Sequence, residues 1–188
     1  MTYKSKYIIP NMQHPEHEDK AADTLRNALM IGCSWLQYCL YMTHKLPIND
    51  KDYPIYYPVL ESKDYCIITP DNEVNLGLFT LNENVEFNNN DEPIKYNMSF
   101  IFWFDQRKIT STIYEDITNG LMNEVIKILK RNCCDTIKKE TNFENIFDYS
   151  GIDLKKLYLF GNNFKAFKLT FNYYQIDCNS SFSQTSYT

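Results

Sequence analysis

The sequence predicts an α+β fold: an antiparallel sheet built around a long β-hairpin, with a C-terminal strand, packed against two main helices. Three observations predict it. In residues 164–177, Phe167, Leu169, Phe171 and Tyr173 alternate with Lys168, Thr170 and Asn172, the two-residue period of a half-buried strand. Residues 96–105 carry the same period, with Met98, Phe100, Phe102 and Phe104 on one face and Ser99, Ile101, Trp103 and Asp105 on the other. Between the two, Ile117, Leu121, Val125, Ile128 and Leu129 recur at helical spacing, while Glu115, Asp116, Asn123, Glu124, Lys127 and Lys130 take the opposite side.

The chain divides into an N-terminal arm (1–18), a single α+β domain (19–178) and a polar C-terminal tail (179–188). Pro10 and Pro15 break regular structure in the arm, and Tyr3, Tyr7, Ile8 and Ile9 suit it to docking on a neighbour. Glu16, Glu18 and Asp19 fill a first helical turn, where carboxylates meet the positive end of the helix dipole. That helix is expected to run to about His44 and stop before Pro47, with its apolar middle, residues 29–40, covered on more than one side. Pro47, Pro54, Pro58 and Pro70 confine any strand in residues 47–70 to an edge or a short piece. A strand is expected over 73–87, clearest at 74–81, and the Asn, Asp, Glu and Pro cluster of 88–93 forms a loop. Residues 74–87 and 94–105 then make the long hairpin. The helix of 113–131 has an acidic start and a basic finish, both suited to the dipole. Residues 132–163 are expected to be a connection with a short helix near 143–149 and a turn at Gly161, Asn162 and Asn163. The last strand follows, and after Cys178 the tail is polar.

At 188 residues the chain fits one domain able to bury roughly 70% of its unfolded-chain surface. A disulfide framework is unnecessary. Cys33, Cys39, Cys66, Cys133, Cys134 and Cys178 show no C-x-x-C spacing, and the vicinal pair closes too tight a ring for an easy bridge, so reduced cysteines in a bacterial cytoplasm are expected. Net charge is -5, and Arg26, Arg107 and Arg131 are the sole arginines, which leaves little for bidentate phosphate or guanine recognition. Fifteen Tyr and twelve Phe against five Gly favour a surface that binds other protein, although an AT-rich genome would raise Tyr, Phe, Asn, Ile and Lys together. Met1 to Lys6 is polar, so no secretory leader is read. The longest apolar stretch, 28–42, is shorter than a bilayer span and holds Ser34 and Gln37, so no membrane partner is expected.

No catalytic, cofactor-binding or metal-ligating residue is assigned, and no cofactor is expected. His14-Pro15-Glu16-His17-Glu18-Asp19 has metal-ligand residue types, but an H-x-x-H pair broken by Pro supplies two ligands at best; a solvated helix start is the favoured reading. Cys133 and Cys134 follow Lys127, Lys130 and Arg131, which could lower a thiol pKa, yet a nucleophile wants a base and the chain has His14, His17 and His44 alone. Packing cysteines at a helix end account for them. Ser34 lies in no G-x-S-x-G elbow, and no phosphate-cradling glycine loop is present. Asp64, Asp71, Glu73, Asp91, Glu92, Asp105, Glu115 and Asp116 could supply two-metal carboxylates, but solvation at turns and element ends explains their placement. The acidic balance lacks the basic stripe that counterion release on nucleic acid requires, and Lys138-Lys139 does not change that.

The element order, with the runs Tyr53-Pro54-Ile55-Tyr56-Tyr57-Pro58, Met98-Ser99-Phe100-Ile101-Phe102-Trp103-Phe104-Asp105 and Phe167-Lys168-Leu169-Thr170-Phe171-Asn172-Tyr173-Tyr174, resembles the tail-completion or tail-terminator-like neck proteins of tailed bacteriophages, in the style of the crAss-like phages. The resemblance spans residues 20–178 and is one of pattern. It implies a structural, non-enzymatic virion subunit, assembled in the bacterial host cytoplasm into a six- or twelve-fold homo-oligomeric ring of the neck or tail. Implied partners are the portal and other neck and tail proteins, with double-stranded DNA passing through without sequence-specific binding. The long apolar first helix and the arm before it depart from the pattern, leaving open which ring this would be. Two other readings stand beside it: a small intracellular metal-dependent, nuclease-like enzyme using the scattered carboxylates, and a phage-encoded inhibitor of a host protein.

Overall fold

The computed structural model describes residues 17–57, 65–82, 94–111 and 115–175. The expected loop at 88–93, the outer part of the hairpin at 83–87, nearly all of the arm and the whole tail lie outside the described residues.

Seven strands form one mixed, mostly antiparallel open sheet in the order β3-β2-β1-β4-β5-β7-β6. These are β1 (Tyr38–Ile48), β2 (Lys51–Tyr56), β3 (Cys66–Ile67), β4 (Leu76–Leu81), β5 (Ile94–Asp105), β6 (Cys134–Glu140) and β7 (Phe164–Gln175). Helices α1 (His17–Gly32) and α2 (Thr118–Arg131) pack on one face, and the short α3 (Phe143–Ile146) and α4 (Leu154–Leu159) on the other.

The centre is the expected hairpin with its C-terminal strand. β4 pairs antiparallel with β5, Leu76 opposite Trp103 and Leu81 opposite Met98. β5 in turn pairs with β7 from Ile94 opposite Gln175 to Asp105 opposite Phe164. The two-residue period sends Tyr96, Met98, Phe100, Phe102 and Phe104 of β5 and Phe167, Leu169, Phe171 and Tyr173 of β7 to the α1–α2 face. There they meet Ala21, Ala22, Leu25 and Leu29 of α1 and Leu121, Val125 and Leu129 of α2, both at helical spacing. Each fully buried Phe contributes roughly 1.5–3 kcal/mol. Gly77 of β4 is required by this packing, since a Cβ there would lie 2.7 Å from the Phe100 ring.

Two expectations are corrected. The first helix does not reach His44: it ends at Gly32, a turn closes with Leu36 N–H on the Cys33 carbonyl, and residues 38–48 form β1. Leu40 and Cys39 are buried on opposite faces of the sheet, and a run apolar on both sides has no period to separate a buried strand from a buried helix. β1 also lies parallel to β4, the one parallel pairing among the described strands. The second correction is in the expected connection 132–163, which contains β6 and α4 besides the foreseen short helix. β6 is an edge strand, mostly exposed, with a register shift between Asp135 and Lys138 and a left-handed Thr136 (φ 52°), so its alternation is broken where it would be read.

The proline-bearing segment does yield short pieces, six-residue β2 and two-residue β3 at the sheet edge. Asn49 and Asp50, both at positive φ (49° and 61°), form the two-residue turn between β1 and β2, with Ile48 opposite Lys51.

The second face is divided. Its apolar half, Leu76, Leu78, Ile101, Trp103, Phe164 and Ala166, lies under Ile146, Phe147, Ile152 and Leu157 of the α3–α4 strap. Its other half is polar and internally bonded. Ser99 Oγ lies 2.9 Å from Thr170 Oγ1, Asn82 Nδ2 donates to Asn97 Oδ1 (2.9 Å), and Asn97 Nδ2 to Asn172 Oδ1 (3.1 Å).

Candidate functional site

Three of the carboxylates foreseen as possible catalytic groups, Asp71, Asp105 and Asp116, hold loops near the end of β5. Asp105, buried, accepts from Arg107 N–H (3.0 Å), from Arg107 Nε (2.9 Å) and, on its other oxygen, from Arg107 Nη2 (2.5 Å). The Arg107 side-chain bonds hold the Asp105 carboxyl below its ordinary pKa against the opposing effect of burial. Asp71 Oδ1 accepts from Glu73 and Val74 N–H, and Lys108 Nζ donates to the carbonyls of Asn72 and Glu73. Gln106 Nε2 donates to the Glu115 carbonyl at 2.6 Å. Asp116 starts α2 by accepting from Thr118 N–H (2.9 Å) and pairs with Lys165 Nζ at 3.3 Å. Burial works against the charged form of Asp116, and the bonds from Thr118 and Lys165 outweigh it, lowering its pKa. Among the described residues no three His, Cys, Asp or Glu side chains converge as a metal site. Asp64, Asp91, Glu92 and the His14-Pro15-Glu16 segment lie outside the described residues.

Of the vicinal cysteines, Cys134 packs as expected and Cys133 does not. Cys133 is exposed at φ 59°, just past α2, and Cys134 is buried against the α1–α2 core. Burial first, then the neighbouring Cys133 and Asp135, pushes the Cys134 thiol up to about 12, the opposite of the activation that nearby Lys127, Lys130 and Arg131 could have caused. Cys33 is pushed up to about 11 and Cys39 to about 12, again by burial, which favours the protonated form of all three thiols at neutral pH. His44 is exposed with its ring 5.9 Å from that of Tyr57.

What the surface presents is apolar side chains in separate places. Ile31, near the end of α1, is 87% exposed, and Leu159, near the end of α4, is 82% exposed beside the exposed Tyr158. Because α1 and α4 pack on opposite faces of the sheet, these side chains mark opposite sides of the molecule. A third group, Tyr57, Tyr65 and Ile67, flanks the β3 edge. The β6 edge is different in kind: Lys138, Lys139 and the bulge make it a poor template for strand addition. The sequence reading missed Ile31 and Leu159. Their signal was available once the helix boundaries were known, since Ile31 falls off the Ala22, Leu25, Leu29 stripe, and Leu154, Leu157, Tyr158 and Leu159 leave α4 apolar on more than one side. Among the described residues no helix is long and apolar enough to cross a membrane.

No protein-family model matches this chain, and no curated protein is significantly similar to it.

Proposed function

We propose that this chain is a structural subunit of the neck or tail of a tailed bacteriophage, closing with copies of itself into a six- or twelve-fold ring between portal and tail, around the passing double-stranded DNA. The observation that carries the reading is the pair of exposed apolar groups on opposite sides of the sheet, Ile31 on α1 and Tyr158 with Leu159 on α4. A contact that joins unlike surfaces of successive copies is head-to-tail, and such contacts generate rings when the rotation closes. The aromatic surplus supports it, as Tyr and Phe supply large contact area at low rotamer-entropy cost. The net charge of -5 suits a channel wall that DNA passes without adhering.

The test is a pair of surface variants, Ile31→Asp and Leu159→Asp. Both side chains are almost fully exposed, so each variant should keep its fold, with stability changed by about 0.5 kcal/mol or less. In sedimentation velocity each should shift the wild-type oligomer to monomer. Unchanged oligomers in both variants would contradict the proposed contact.

A further inference from the structure

We propose that the N-terminal arm docks on its own subunit, with Tyr7, Ile8 and Ile9 covering the apolar patch that Tyr57, Tyr65 and Ile67 form on the outer strands of the sheet. This inference is independent of the ring reading, because one chain supplies both surfaces.

The register gives the patch a side. His44 of β1 stands opposite Ile55 of β2, and Ile55 opposite Ile67 of β3. Opposed residues share a face of a sheet, and so do residues two apart, so Tyr57 and Tyr65 join Ile55 and Ile67. The His44 and Tyr57 rings, 5.9 Å apart, agree with this. The face is that of α1 and α2, because Tyr56 and Ile68, of the other parity, belong to the core under the α3–α4 strap. The α1–α2 core, however, reaches outward only to Cys39 and Met42 of β1, and among the described residues it includes none from β2 or β3. Ile55 is nevertheless only 1% exposed, while Tyr57, Tyr65 and Ile67 around it are open. The outer strands thus carry an apolar group on a face that neither helix covers, the kind of patch that marks a contact.

The point at which the arm joins α1 names the occupant. α1 runs antiparallel to β1: Arg26 Nε donates to the Cys39 carbonyl at 2.9 Å, and its guanidinium lies 4.5 Å from the centre of the Tyr41 ring. Two turns earlier in the helix, burial raises the Asp19 pKa and the nearby His44 works against it, which places Asp19 beside the far end of that contact. The helix therefore begins at the His44 end of β1, next to the patch, and residues 1–16 lead into it there. β2 and β3 lie about 5 Å further out each, the spacing of neighbouring strands. Residues 10–16 can span up to roughly 23 Å, so the arm's apolar run, Tyr7-Ile8-Ile9, reaches the patch of its own chain without a second copy.

The test labels the isoleucine methyl groups of the full chain and follows Ile8, Ile9 and Ile67 by NMR. The Ile8 and Ile9 methyl signals should be shifted upfield by the Tyr57 and Tyr65 rings and show nuclear Overhauser contacts to Ile67. Tyr57→Ser and Ile67→Asp, both at exposed positions, should each return the Ile8 and Ile9 signals toward their random-coil positions. Ile8→Asp leaves the sheet's own sequence intact, should move the Ile67 signal, and decides the matter if a sheet variant fails to fold. A co-expressed mixture of Ile8→Asp and Ile67→Asp chains separates one copy from two: an arm that docks on its own sheet stays displaced in the mixture. Random-coil Ile8 and Ile9 signals in the wild type would overturn the assignment. So would contacts restored in the mixture, which would put the arm on a neighbouring copy.

Discussion

Asp105 shows how a residue with the right chemistry for catalysis can be fully occupied by architecture. Its carboxylate closes a single 3-10 turn, Gln106–Lys108, by capping Arg107 N–H and gripping the Arg107 guanidinium, and its own N–H donates to Asn75 Oδ1 at 3.2 Å. The depressed pKa fixes the sign of a pH effect. A carboxyl whose folded-state pKa lies below its unfolded value contributes stability above the unfolded value, about 3.9, and loses it as the pH falls through the folded one. Asp105→Asn should accordingly be less stable than wild type at neutral pH in urea unfolding, with the gap narrowing as the pH drops from 6 to about 3. A gap that stays constant over that range would show that the charge of Asp105 is not what stabilises the turn. The position of Asp105 at a strand end was legible in the sequence; its bidentate grip on a residue two places along was not, because that depends on the turn geometry.

At the scale of elements, alternation and helical spacing were reliable wherever one side of an element faces a core and the other does not. β7 and α2 are of this kind: β7 starts at Phe164 where its pattern placed it, and α2 ends at Arg131 as expected but starts at Thr118 rather than 113, which leaves Glu115 and Asp116 ahead of it. β5 is buried on both faces yet keeps a period, because Ser99 and Asp105 interrupt the apolar run on its second face. β1 is buried on both sides along 39–43, so its residues carry no period, and the helical reading of α1 ran on through it. β6 fails for the converse reason, since an edge strand broken by a bulge has too little buried surface to leave a pattern. The clue to β1 was the turn that ends it. Asn49-Asp50 is a left-handed pair, the backbone that two-residue hairpins require, and Asn-Gly suits it better than Asn-Asp because glycine pays no Cβ penalty at positive φ. Asp50→Gly should therefore raise stability by about 0.5 kcal/mol, read as a higher urea midpoint at unchanged slope. A lowered midpoint would mean that the Asp50 side chain does more for the turn than its backbone strain costs.

The whole molecule is a three-layer arrangement in which the layers are unequal. α1 and α2 cover their face of the sheet with a continuous aromatic and aliphatic core, while the α3–α4 strap covers half of the other and leaves a polar half with a cleft at the boundary. Asp71, Asp105 and Asp116 are engaged in caps and ion pairs, and among the described residues the most exposed large apolar side chains stand on opposite sides of the sheet. That division of labour, polar groups turned inward to hold loops and apolar groups turned outward on two sides, is the ground on which we propose self-assembly. The fold class was legible because it rests on the central strands. The proposed contact surface was not, because exposure of Ile31 and Leu159 depends on where two helices end. The most direct measurement is the mass and shape of the purified wild-type chain, alone and mixed with its portal complex, by mass photometry and negative-stain electron microscopy. The account predicts closed rings of six or twelve copies in at least one of these samples; monomers in both would contradict it.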